Sequence, residues 1–175
     1  MTELWTTDGT PGGTALVRDI VAGSPSSDPR HFTVWHVFPA VWLEADEAEV
    51  FGSGCRGTNG VPVIGWQGVP ALGDSTFAVD VENALASFPA LLLAGETRTD
   101  VVLGGGCTLH PTGPAISLLT IASPAGAASV PVPVPNSTSL VGTELILQWA
   151  TIDPAGPFLG LAAFSAGLRV RVGSS

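Results

Sequence analysis

No long helix fits the punctuation of this sequence. Its 175 residues include 22 glycines and 15 prolines, spread from end to end. Inside a helix, glycine costs about 1 kcal/mol and proline about 3 kcal/mol relative to alanine. Short strands are what the intervals between these breaks allow. In residues 77–82 the bulky apolar side chains fall on one face, and Asp80 and Glu82 fall on the other. Leu145, Leu147 and Trp149 alternate with Glu144, Ile146 and Gln148, while Leu168, Val170 and Val172 alternate with Arg169 and Arg171. Such period-two patterns read as half-buried strands with one wet face. The apolar runs 115–122 and 158–164 fit strands buried on both sides or a short helix, and periodicity does not separate the two. Prolines at every second position of residues 130–135 remove hydrogen-bond donors along one side only, so that segment reads as an edge strand. About ten short strands separated by turns predict an all-β fold, a two-sheet β-sandwich of jelly-roll type. The expected exception is one short helix over residues 81–87.

The two cysteines, Cys55 and Cys107, lie 52 residues apart and each follows a glycine. An even count, no CxxC spacing and no adjacent histidine point to a structural disulfide. Closing a loop of that length stabilises a fold by roughly 4 kcal/mol in the chain-entropy account. A disulfide implies an oxidising compartment, hence a secreted or cell-surface protein. The competing reading is a cytosolic protein with two free thiols. Met1-Thr2-Glu3-Leu4-Trp5 shows no cationic and apolar leader, so the exported reading expects one upstream of Met1. No uninterrupted apolar run reaches the roughly 18 residues that suggest a spanning helix, and no membrane insertion is expected.

Charge narrows the partners. Only 12% of residues are charged, against about 25% in an average domain. The surface must therefore be built largely from Ser, Thr, Gly, Pro and Ala, which hydrate weakly and tolerate contact with other surfaces. Net charge is −9, with no lysine, and the six arginines are Arg18, Arg30, Arg56, Arg98, Arg169 and Arg171. Scattered cations on an acidic chain exclude the clustered basic face that nucleic acid or an anionic membrane requires.

Residues 3–20, reading ELWTTDGTPGGTALVRDI, resemble the ELWxxDGTxxGT repeat. That repeat occurs, often in tandem, in large secreted bacterial proteins and looks propeller-like. The resemblance implies a β-hairpin, with Asp8-Gly9 as a tight turn and a strand over residues 15–21. Residues 31–49 resemble a decayed remnant of the next copy. One such unit cannot bury its own face, so it must pack on the rest of the chain or on another molecule. Residues 51–173 resemble a C-terminal module of large exported proteins of planctomycete-like and myxobacteria-like bacteria. The blocks that carry this are Phe51-Gly52-Ser53-Gly54-Cys55, Pro70-Ala71-Leu72-Gly73 leading to Phe77-Ala78-Val79, Asn83-Ala84, residues 89–95, Gly106-Cys107, residues 133–135, and Ser139-Leu140-Val141-Gly142 with Gln148-Trp149. This resemblance implies a location and a fold rather than a reaction. Together the two resemblances divide the chain into a repeat-derived hairpin and acidic connection (1–50) and a disulfide-closed sandwich (51–175).

Candidate chemistry is sparse. If residues 31–38 form a strand, His31 and His36 fall on opposite faces and cannot share a metal. His110 reads as an isolated surface or loop histidine. Glu44 and Asp46, within the acidic group that includes Glu47 and Glu49, are weak calcium candidates, because carboxylate oxygens suit that ion. They lack the spacing of an EF-hand loop, and a solvated acidic turn explains them as well; no cofactor is otherwise expected. Residues 163–167, AFSAG, miss the first glycine of a nucleophile elbow. Asp80 and Glu82 are explained as the wet face of a strand rather than as paired glycosidase acids. Of five tryptophans, Trp149 sits on the apolar face of its strand and Trp5 belongs to the repeat motif. Trp35, Trp42 and Trp66 remain free to stack on sugars. The leading expectation is a non-enzymatic extracellular or cell-surface module with a structural, adhesive or self-assembly role, whose partners are other copies or neighbouring surface domains. The alternative is a carbohydrate-binding module using Trp35, Trp42 or Trp66, and a hydrolase is the remote third reading.

Overall fold

A computed structural model describes residues 4–6, 15–18, 47–113 and 116–174. The chain forms two compact units, Met1–Pro39 and Ala40–Ser175. In the first, β1 (Leu4–Thr6) pairs antiparallel with β2 (Ala15–Arg18), with Trp5 opposite Leu16 and Thr6 opposite Ala15.

The second unit is all-β. Its strands are β3 (Glu47–Phe51), β4 (Val63–Gln67), β5 (Ala78–Glu82), β6 (Pro89–Gly95), β7 (Thr97–Gly104), β8 (Cys107–Thr112), β9 (Ile116–Ile121), β10 (Ala128–Pro131), β11 (Glu144–Ile152) and β12 (Ala162–Arg171). A five-stranded antiparallel sheet runs in the order β3-β12-β11-β6-β9, and a three-stranded sheet in the order β10-β5-β4. Between them lies the main core: Ile64, Phe77, Val79, Val81 and Val130 from the smaller sheet meet Leu92, Leu147, Trp149, Leu168 and Val170 from the larger. The period-two strands therefore face the way their sequence predicts, with Val79 and Val81 inward and Asp80 and Glu82 outward.

The outer face of the five-stranded sheet departs from expectation. Hairpin β7–β8, turned by Gly104-Gly105-Gly106 with φ of 89°, 60° and 78°, lies over it as a third layer. Cys55, Cys107, Ala150, Ala162, Ala163 and Phe164 form a second core there, with Leu93, Leu103, Leu109 and Phe158 packed against it. The Cys55–Cys107 disulfide is formed, with Cα atoms 4.8 Å apart. Because of this layer β11 has no wet face: Ile146, Leu147, Gln148, Trp149, Ala150 and Thr151 are all buried.

Three further differences have physical causes. The short helix expected over residues 81–87 does not form. Val81 and Glu82 instead complete β5, and Asn83 and Ser87 take left-handed φ of 60° and 62°, which no helix accommodates. The helical structure among the described residues is a single 3₁₀ turn, Thr138–Leu140. The run 115–122 does contain a strand, β9, but at the sheet edge and exposed rather than buried on both sides. The alternating prolines behave as expected. β10 is an edge strand, and beyond it Val132 and Val134 donate to the carbonyls of Phe77 and Asp74 while the prolines between them leave the other side without donors.

Candidate functional site

The outer face of the larger sheet holds a connected group of polar, charged and aromatic side chains. Phe51, at the end of β3, lies on Gly167 of β12 so closely that a Cβ there would stand 2.4 Å from the ring. The Arg98 guanidinium of β7 sits over that ring, 4.2 Å from its centroid, and the His110 imidazole of β8 meets it edge-on at 5.1 Å. Register between β7 and β8 slips between Arg98 and Val101, and within that bulge Asp100 takes a left-handed φ of 50°. A bulge re-aims the side chain it carries. Here it turns the Asp100 carboxylate back to accept from Arg98 (Nη2–Oδ2 2.6 Å) and to meet His110 Nδ1 (2.6 Å to Oδ1). Hydrogen bonding to Arg98, and next to His110, holds the Asp100 carboxyl at about 2, well below the usual carboxylate range.

Beside this stack lies a cleft of about 520 Å³, lined by Glu49, Phe51, Glu96, Arg98, Glu144 and Arg169, with Thr97 and Ile146. Arg169 pairs with Glu49 across the β3–β12 ladder. Beneath it, Gln148 is completely buried and fully bonded. Its Oε1 accepts the His110 backbone N–H at 2.9 Å, and its Nε2 donates to the carbonyls of Thr108 and Ser165 at 2.8 and 2.9 Å. It thus ties β8 to β11 and β12.

His110 is 3% exposed, contrary to the surface or loop position expected for it. Its Nε2 has no hydrogen-bond partner among the described residues. A Cβ at Gly52 would stand 2.8 Å from that nitrogen, so the bare glycine backbone closes over it. An imidazole oriented by a carboxylate is the geometry of a general base. This one, however, is covered, and among the described residues no hydroxyl or thiol donates to it. Ser165, the serine of the incomplete elbow motif, is buried within β12, where its hydroxyl accepts the Trp149 backbone N–H. Asp80 lies on the outer face of β5 and accepts from Gln67.

A second polar anchor holds the disulfide loop. Asp153, buried after β11, accepts from the backbone N–H and hydroxyl of Thr58 and from the Ala155 N–H. Burial alone would raise its pKa, but the Thr58 and Ala155 hydrogen bonds outweigh it and the net shift is downward.

Of the residues singled out from sequence, Trp66 lies at the end of β4 and is 39% exposed, while Trp149 is buried in the core. Trp35, Trp42, Glu44, Asp46, His31 and His36 lie outside the described residues. Among the described residues no three His, Cys, Asp or Glu side chains gather as metal ligands, and no helix is long and apolar enough to cross a membrane. The sequence reading missed Asp100, Gln148 and Asp153. The signal available was a lone polar residue interrupting or ending an apolar pattern, as Gln148 does between Leu147 and Trp149. Comparison with protein-family models, curated proteins and solved structures finds no match for this chain.

Proposed function

We propose that this chain is an exported, non-enzymatic β-sandwich module of jelly-roll type, serving a structural, adhesive or self-assembly role at a cell surface. Its partners on this reading are other copies of itself or neighbouring surface domains. The observation that carries it is the exposed apolar strand β9, which leaves Ile116, Leu118, Leu119 and Ile121 in solvent within a 43-residue stretch, 101–143, that holds no Asp, Glu, Lys or Arg. Contiguous exposed apolar surface marks interaction sites. The disulfide suits an oxidising compartment, and the covered His110 Nε2 gives little support to catalysis. Light scattering of the full chain over concentrations reaching about 1 mM is the test. The expected result is mass rising with concentration; a constant monomer mass throughout would overturn self-assembly. Resistance of both cysteines to alkylation without reductant, in protein from its native compartment, is expected on the exported reading.

Trp66 supports the second reading, glycan binding. It is 39% exposed at the margin of β4, on the face it shares with buried Ile64, and an exposed indole face stacks on sugar rings. A glycan array is the discriminating measurement, with Trp66→Ala as its control: binding lost in the variant would favour this reading over assembly.

A further inference from the structure

The outer edge of β9 has no strand paired to it among the described residues. Its inner neighbour is β6, with Leu118 opposite Leu92, Thr120 opposite Ala90 and Pro89 opposite Ile121. Ala122 N–H donates to the Phe88 carbonyl. Antiparallel ladders alternate between bonded and non-bonded pairs, so the residues bonded to β6 are Ile116, Leu118, Thr120 and Ala122. Pro89, which has no N–H to give, falls in a non-bonded pair, as this parity demands. Ser117, Leu119 and Ile121 therefore aim three N–H and three C=O groups away from the sheet, and no further strand follows β9 in it among the described residues.

Two other edges of the sandwich, β10 and β3, carry devices against strand addition and β9 carries none. At the end of β10 and just beyond it, Pro131 and Pro133 remove donors. β3 places Glu47 and Glu49 along its strand. Strand β9, reading ISLLTI, has no charge, no proline, no glycine and no bulge. An edge that is flat, neutral and apolar is the kind that pairs with another chain.

We propose that two copies join antiparallel through β9 about a two-fold axis at Leu119, making one continuous ten-stranded sheet. This rests on the assembly reading above and names its partner and register. Pairing Leu119 with Leu119 of the second copy, and Ser117 with Ile121, matches every outward donor with an outward acceptor and forms six hydrogen bonds. It also stacks the two Leu119 side chains, each 67% exposed in the single chain. A two-fold interface must be self-complementary, and this edge is. Charge argues for a second copy over an oppositely charged partner. A chain of net charge −9 repels its own copies, yet neither β9 nor its paired neighbour β6 carries a charged side chain. Five paired residues a side bury less than the roughly 1,200 Å² of a standard stable interface. The association is therefore weak in solution and suited to molecules held close together on a surface.

Cysteine cross-linking of the full chain reads the register. Leu119→Cys is expected to form a covalent dimer under mild oxidation. Ser117→Cys and Ile121→Cys are expected to cross-link when mixed and to give little product alone, because like positions then stand about 13 Å apart at the strand rise of about 3.3 Å per residue. Leu119→Lys, on an exposed side chain that leaves the core untouched, is expected to abolish association in sedimentation velocity while the circular dichroism spectrum is retained. Association that survives Leu119→Lys without these cross-links would overturn the β9 pairing and leave the assembly reading standing. A wild-type chain that stays monomeric throughout would overturn both.

Discussion

Strands β11 and β9 belong to the same sheet, separated only by β6, yet they reverse the usual allocation of side chains. β11 buries Gln148 and Thr151, and its neighbours bury Ser165 and His110. β9 leaves two leucines and two isoleucines in water. A buried polar residue is informative where a scattered exposed leucine is not. The covered region has a third layer over it, and its polar groups are tolerable because they are bonded, Gln148 to that layer and Thr151 and Ser165 within the sheet. The open edge has unspent backbone groups and apolar side chains, which suit it to a contact made later. The difference teaches that cover by a further layer, rather than membership of the sheet, decides where this chain places its polar and apolar side chains.

The largest expected effect comes from uncoupling the covered region. Replacing Cys55 and Cys107 together by alanine removes a bridge across 52 residues and is expected to cost about 4 kcal/mol. For a unit of this size that lowers the thermal midpoint by roughly 10 °C or more. Calorimetry of the double variant checks it, and an unchanged midpoint would mean that the third layer is held by packing alone. Next comes Gln148→Leu, which fills the space but strands the His110 N–H and two carbonyls. Each buried group left unpaired costs about 1–3 kcal/mol, and a total near 3 kcal/mol is expected in urea unfolding. A near-neutral result would break the comparison at its base, because β11 would then tolerate an apolar residue where it now carries a bonded amide.

The sequence revealed the inner faces of the two sheets and concealed the outer face of the larger one. Residues 77–82 and 168–172 were legible because a strand with one buried face writes its burial into period two. The edge position of residues 130–135 was legible because proline removes a donor whatever surrounds it. The wet outer face predicted for β11 was wrong for a tertiary reason: only the distant hairpin β7–β8 covers it. Alternation around Gln148 looks the same whether the polar side is met by water or by a backbone carbonyl. β9 failed in the opposite way. An apolar hexamer reads as core, and nothing local to it reports that no strand lies beyond. The Asp100–His110 contact depends on a bulge, which shifts register by one residue and carries no signature stronger than one acid in a strand. The helix expected at 81–87 shows local propensity overruled, since the pairing of β5 with β4 and β10 claims Val81 and Glu82 first.

A smaller effect sharpens the account of the covered region at its Asp153 anchor. Asp153→Asn keeps the shape but weakens three hydrogen bonds to a charged acceptor, and a loss of about 2 kcal/mol is expected at neutral pH. The folded-state pKa of Asp153 is depressed. Its contribution is therefore fully present above the ordinary carboxylate value and disappears as pH falls through the lower, folded value. The gap in stability between wild type and variant should accordingly be constant from neutral pH down to about 5 and close in more acidic solution. A gap that widened on acidification would reverse the sign and place the Asp153 carboxyl in a merely desolvated site.

The smallest effect concerns Asp100, at the boundary between the covered layer and the open cleft. Its side chain is 42% exposed, so water screens it and its removal should alter stability little. What it should alter is local. The carboxyl is held at about 2 chiefly by Arg98 and then by His110, so carbon-13 NMR of that carboxyl should show a midpoint near 2 in the wild type. Arg98→Ala, on an exposed side chain, should raise the midpoint most because it removes the larger partner. Asp100→Asn should leave the backbone in place, because asparagine tolerates the left-handed conformation of the bulge, while shifting the His110 Nδ1 resonance. A wild-type midpoint near the usual carboxylate value would mean that the bulge does not aim Asp100 inward in solution. The β7–β8 layer would then be tied down by Gln148 and the disulfide without help from its outer rim.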